Sequence, residues 1–144
     1  MTAVMTIVVA TANRGKLTEI RSLLGELPVQ VLSAQEALGD AMPKVVEDGD
    51  SFEENALKKA RTVAAEAMML TLADDSGLEV DALGGRPGVR SARFASEGAT
   101  DAENNAELLR QMDDVVDESR KARFRAAIAL VDPWDPNGEV VVQG

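Results

Sequence analysis

Hydrophobic and polar positions along the chain follow two periods. Short β-branched or alternating runs mark strands at Met5–Ala10 (MTIVVA), Val29–Leu32, Leu70–Ala73, Leu78–Leu83, Ala122–Val131 and Glu139–Gln143. Apolar residues three or four apart mark helices. One stripe is Leu17, Ile20, Leu23, Leu24 and Leu27, weakened by Gly25 and ended by Pro28. A second runs from Phe52 to about Met69 through Ala56, Ala60, Val63, Ala64 and Ala67. A third is Ala102, Ala106, Leu109 and Met112, with Leu108 nearby. Ser51-Phe52-Glu53-Glu54 and Thr100 with Glu103 read as capping boxes that start the second and third helices. Ser33–Pro43 reads as a short helical turn and loop, and Asp113–Ser119 as a solvated acidic linker. Turns are expected at Ser76-Gly77, at Gly84–Gly88 and at Asp132–Gly138, the last joining a hairpin. The resulting order, β-α-β-α-β-β-α-β-β, predicts an α/β domain with a mixed β-sheet flanked by helices. There is no internal repeat, and residues 1–144 read as a single domain.

Two positions depart from this patterning and point to chemistry. Lys59 falls inside the apolar sector of the second helix, near Phe52 and Val63, whereas Lys58 and Arg61 fall on the opposite side. A lysine among core residues either snorkels out along its stem or meets an anion. In Leu72–Gly88 (LADDSGLEVDALGGRPG) an apolar run ends in two adjacent carboxylates, Asp74 and Asp75. Side chains alternate across a strand, so the two cannot face one pocket if the strand persists. One is expected to work and the other to support it. Read alone, Asp74-Asp75-Ser76-Gly77 is equally a polar turn.

The first strand meets the first helix at Thr11-Ala12-Asn13-Arg14-Gly15-Lys16. Backbone N–H groups at a helix start favour anions, and a lysine there suits an anionic ligand better than it suits the helix dipole. A plain strand-to-helix turn with a solvated lysine explains the same residues. The loop is neither a Walker P-loop nor a GxGxxG fingerprint. An acidic stretch carrying Glu47 precedes the second helix.

Composition narrows the options. The chain has no cysteine and no histidine, which removes disulfides, thiol nucleophiles, zinc sites and imidazole acid–base schemes. Its carboxylates are hard oxygen donors suited to Mg2+ or Mn2+. The net charge of −10 argues against a nucleic-acid or anionic-membrane surface, which needs clustered Lys and Arg. With no signal pattern and no apolar run of spanning length, the expectation is a cytoplasmic protein without a membrane partner. Glu47, Asp74 and Asp75 with Lys16 and Lys59 suggest a metal-dependent enzyme acting on a phosphorylated small molecule.

TANRGK, SFEENALKKA and ADDSGLEVDALGGRPGVRSARF, in this order and spacing, resemble the inosine triphosphate pyrophosphatase family of the Ham1/RdgB type. The resemblance covers essentially the whole chain. It implies Mg2+-dependent hydrolysis of ITP, dITP or XTP to the monophosphate and pyrophosphate, and a homodimer. It further implies that Thr11, Ala12, Asn13, Arg14, Gly15 and Lys16 form the triphosphate loop and that Lys59 contacts phosphate. On the same basis Asp75 is general base and metal ligand, Ser76 contacts substrate, and Glu47 is a second metal ligand. The family's FGYDP and Ser-His-Arg segments, which complete the nucleobase pocket, have no counterpart among the 144 residues. The expectation is therefore a member truncated at its C-terminal end that carries the phosphate half of the site. A non-catalytic, nucleotide-binding or self-associating remnant is the competing reading. A Maf-like pyrophosphatase is disfavoured, because its Ser-Pro-Arg-Arg start is absent.

Overall fold

The computed structural model describes residues 4–144. Its five-stranded sheet has the order β2-β1-β3-β4-β5. The strands are β1 (Met5–Val9), β2 (Val29–Ser33), β3 (Leu70–Val80), β4 (Ala122–Val131) and β5 (Glu139–Gln143). The helices are α1 (Arg14–Leu24), α2 (Ala34–Leu38), α3 (Phe52–Ala67) and α4 (Asp101–Gln111). β1 pairs in parallel with both β2 and β3, while β3, β4 and β5 run antiparallel in turn. This is the mixed α/β sheet that the patterning predicts.

The chain leaves β1 in one direction through α1 to β2, then returns through α2 and α3 to β3 on the other side. Right-handed crossovers of opposite direction put α1 and α3 on opposite faces. The register agrees. Val8, Ala73, Ala127, Ala129 and Val131 share one face and pack on Phe52, Ala56, Ala60, Val63 and Ala64 of α3. This is the core that the helical wheel anticipates. The small alanines on α3 and the sheet let helix and strands approach closely. The other face, over β4 and β5, leaves Phe124, Ile128, Val140 and Val142 exposed.

Several expectations change. Ser76-Gly77 is not a turn, and the described residues form five strands rather than six. β3 runs unbroken from Leu70 to Val80, in register with β4 from Thr71↔Val131 to Val80↔Ala122. Ladder pairing along the whole strand overrides the local turn preference. Gly77 is there for space: a Cβ on it would lie 2.4 Å from the Gly88 carbonyl oxygen and 2.6 Å from Ser91 Oγ. Residues Asp81–Leu83 form a 3-10 turn instead of finishing a strand. The stripe on α1 buries none of its residues, and Leu23 is 79% exposed. On α4 the buried positions are Asn104 and Met112, with Leu108 half-buried, while Ala102, Ala106 and Leu109 face outward. The Thr100–Glu103 capping box is complete. At α3 only half of it forms: Ser51 Oγ accepts from the Glu54 N–H, but the Glu54 carboxylate reaches back to the Asp50 N–H.

Candidate active site

β1 ends at Val9, opposite Leu72, and β3 continues alone past it. Asp74–Ser76 therefore lie on an edge of β3 that no strand covers on the β1 side. This is the switch point between β1 and β3, where the connections leave to opposite faces. Open α/β sheets place their ligand crevices at such a point, outside the carboxyl ends of the parallel strands.

Two lysines reach this edge from opposite faces. Lys16, in the first turn of α1, donates to Ser76 Oγ at 3.0 Å and pairs with Asp74 Oδ2 at 2.7 Å. Lys59, on α3, donates to the Asp74 carbonyl oxygen at 2.9 Å and pairs with Glu47 Oε1 at 2.6 Å. The ammonium therefore meets a carboxylate and a strand carbonyl oxygen of the protein itself, at the end of a stem that starts within the apolar sector of α3.

The strand splits the two aspartates as alternation requires. Asp74 and Ser76 face Lys16, while Asp75 faces α3. Asp75 Oδ2 accepts from Asn55 Nδ2 at 3.1 Å. Burial pushes the Asp75 carboxyl above the usual aspartate range, and the Glu47 carboxylate adds to the shift. The Asn55 hydrogen bond and the Lys59 charge oppose it. A raised carboxyl next to lysines is a common mark of a functional site.

The TANRGK stretch is more helical than its sequence suggests, because α1 begins at Arg14. Thr11 Oγ1 accepts from the Asn13 N–H, and Asn13 Oδ1 caps the helix by accepting from the Lys16 N–H at 3.1 Å. Ala12, Asn13, Arg14 and Gly15 are exposed. Thr11 and Ala12 line an open cleft of about 160 Å³ together with Met42, Glu47 and Lys59. A second cleft of about 360 Å³ shares Thr11, Ala12 and Met42 and adds Asn13, Arg14 and Ser33. The first is smaller than the roughly 300–1,000 Å³ of small-molecule pockets. Its dimensions suit a phosphate or an ion, and the second cleft offers room for more of a ligand.

Two residues of the site were not anticipated. Asn55 is fully buried and joins Asp75 to the loop that carries Glu47, since Gly49 N–H donates to Asn55 Oδ1 at 2.7 Å. Arg93 Nη2 donates to the Glu47 carbonyl oxygen at 3.1 Å. The helical wheel contained a signal for the first. At about 100° per residue, Asn55 lies about 60° from Phe52 and about 40° from Lys59, a polar residue inside the core sector. Arg93 comes from a 3-10 segment, Gly88–Arg93, whose sequence carries no comparable sign.

Sheet, crossovers and crevice together define an α/β protein with an anion-facing site at the switch point of its parallel strands. The chain belongs to the Ham1 family, whose model matches residues 7–144. It is 52% identical over 127 residues to a dITP/XTP pyrophosphatase of Geobacter sulfurreducens, an alignment covering 88% of this chain and 63% of that protein. The structure of a HAM1 protein from Coxiella burnetii superposes with a TM-score of 0.86 at 38% identity, covering 97% of this chain and 70% of that one. A nucleoside-triphosphatase / dITP/XTP pyrophosphatase from Mycobacterium abscessus gives a TM-score of 0.81 at 44% identity, covering 97% and 71%. The chain thus spans under two thirds of the length of the curated Geobacter relative.

Proposed function

We propose that the chain hydrolyses the purine nucleoside triphosphates ITP, dITP and XTP to the monophosphate and pyrophosphate, removing them from the nucleotide pool. The observation that carries this reading is the convergence of Lys16 and Lys59, from opposite faces, on the β3 edge beside the half-buried Asp75. Family membership, and the names of the relatives, support the substrate class.

In this scheme the Thr11–Lys16 turn and Ser76 bind the triphosphate, and Lys16 and Lys59 exchange their internal acceptors for phosphate oxygens. Asp75 takes the proton of a water that attacks the α-phosphorus. The bond from that phosphorus to the bridging oxygen breaks, and pyrophosphate leaves. A carboxyl raised toward neutrality is a better proton acceptor than an ordinary aspartate.

Glu47 and Asp75 fit a hard divalent cation. Both are carboxylates near Lys59, and among the described residues no three acidic side chains gather into a closed cage. Mg2+ characteristically takes one or two carboxylates and completes its shell with phosphate oxygens and water. Bound there, Mg2+ or Mn2+ would supply neutralisation of the triphosphate charge. The reading extends to a cytoplasmic homodimer whose residues 1–144 act as one domain. No nucleic-acid partner is included, in keeping with the charge of −10. No helix among the described residues is long and apolar enough to cross a membrane.

The test is product analysis with dITP, XTP and dGTP in the presence of Mg2+. Pyrophosphate and monophosphate should appear in equal amounts from dITP and XTP, and turnover should collapse in Asp75→Asn. Orthophosphate as the first product, or normal turnover by Asp75→Asn, would contradict the assignment.

A further inference from the structure

We propose that Asn55 is the positioning residue that sets the Glu47 and Asp75 carboxylates against each other. The inference rests on the roles proposed above for those two acids. Asn55 is completely buried on the apolar face of α3, among Phe52, Ala56 and Ala60. An amide is costly there unless both of its ends are bonded. Both are, and they bond to different parts of the site: Oδ1 accepts from Gly49 N–H at 2.7 Å and Nδ2 donates to Asp75 Oδ2 at 3.1 Å.

The loop held in this way is otherwise tied at Glu47 itself, whose carboxylate pairs with Lys59 at 2.6 Å and whose carbonyl oxygen accepts from Arg93. Residues 42–49 belong to no helix or strand. The Asp48–Lys58 ion pair is exposed, and such pairs contribute little. Arg93 fixes the Glu47 carbonyl from one side and Asn55 fixes the Gly49 N–H from the other. Asn104 in turn braces the Arg93 segment, accepting from the Ala95 N–H and donating to the Ala92 carbonyl oxygen. Gly49 has no room for a side chain: a Cβ would lie 2.7 Å from Asn55 Oδ1 and 2.9 Å from Glu54 Cβ. The loop backbone thus sits directly against the Asn55 amide. Only an amide of this length serves. Aspartate lacks the donor, and glutamine adds a methylene to a sealed space.

The experiment measures Mn2+ affinity of the 144-residue chain by electron paramagnetic resonance and Gly49 amide exchange by NMR. The variants are Asn55→Ala, Gly49→Ala, Glu47→Gln and Asp75→Asn. Thr71→Val serves as a control for lost stability, because Thr71 is equally buried but bonds the Met69 carbonyl at the far end of β3. Asn55→Ala should weaken Mn2+ binding at least tenfold and speed Gly49 exchange at least tenfold, while Thr71→Val changes neither. Gly49→Ala leaves every α3 side chain in place but pushes the loop off the Asn55 amide, and should weaken Mn2+ binding to the same extent. If Glu47→Gln and Asp75→Asn weaken binding but Asn55→Ala and Gly49→Ala stay within twofold of the parent, the positioning role is overturned and the metal site stands. Unchanged Gly49 exchange in Asn55→Ala also overturns it. A parent that binds no Mn2+, or binds it equally without Glu47 and Asp75, overturns the metal role of the two acids and this inference with it.

Discussion

Replacing Asp75 by asparagine should make the protein more stable while abolishing its proposed activity. The side chain keeps its size, and the new amide oxygen can still accept from Asn55 Nδ2, which now reaches Asp75 Oδ2 at 3.1 Å. What disappears is a half-buried negative charge whose largest penalty is burial, with the Glu47 carboxylate adding to it. The loss of attraction to Lys59 partly offsets the gain, and the site's remaining exposure screens both. The net should be a gain of about 1 kcal/mol, within the roughly 0.5–2 kcal/mol typical of a single stabilising change. In a domain of this size that raises Tm by about 3 °C.

The pH dependence fixes the sign. Because the folded carboxyl titrates above its unfolded value, the folded parent binds the extra proton more readily, and the penalty grows as pH rises through that window. The advantage of Asp75→Asn is therefore full above the pH at which the folded carboxyl titrates and vanishes below the ordinary aspartate range. Thermal denaturation of parent and variant across pH 3–8 measures it. A variant less stable than the parent at pH 7.5, or an advantage that grows toward acid, would refute the claim that Asp75 is held against its own charge.

Gly77→Ala forces a Cβ to within 2.4 Å of the Gly88 carbonyl oxygen, a backbone atom that cannot step aside. It should cost about 2–3 kcal/mol, read as a Tm loss of several degrees. An unchanged Tm would mean that the loop after Gly84 does not pack on β3 as described. Lys59→Met keeps the apolar stem and removes the ammonium, leaving the Asp74 carbonyl and Glu47 without their donor. Isothermal titration with a non-hydrolysable inosine triphosphate analogue should show at least tenfold weaker binding with Tm changed by no more than a few degrees. Equal affinity would remove Lys59 from the phosphate contacts.

Much of this could be read from the chain because it follows from periodicity. The wheel from Phe52 put Ala56, Ala60, Val63 and Ala64 in the core and Lys59 among them, and strand alternation separated Asp74 from Asp75. What escaped depended on distant partners. Ser76-Gly77 has turn chemistry, yet long antiparallel pairing to β4 keeps it extended. Gly77 is required by the Gly88 backbone, which folds back onto β3 at the end of the Gly84–Gly88 turn. The α1 stripe has helical spacing, but α1 packs mainly against β2 at the edge of the sheet, and Leu23 remains in solvent. Asn55 was hidden because polar residues on an apolar wheel are usually set aside. Its two partners, Gly49 and Asp75, become neighbours only when the loop folds back on α3.

In the proposed reaction a water next to Asp75 attacks the α-phosphorus of a purine triphosphate held by Lys16 and Lys59. Hydrolysis of dITP in oxygen-18 water, followed by mass spectrometry of both products, tests it directly. One labelled oxygen should appear in the monophosphate and none in the pyrophosphate. Label in the pyrophosphate would place the attack on the β-phosphorus and contradict the role given to Asp75.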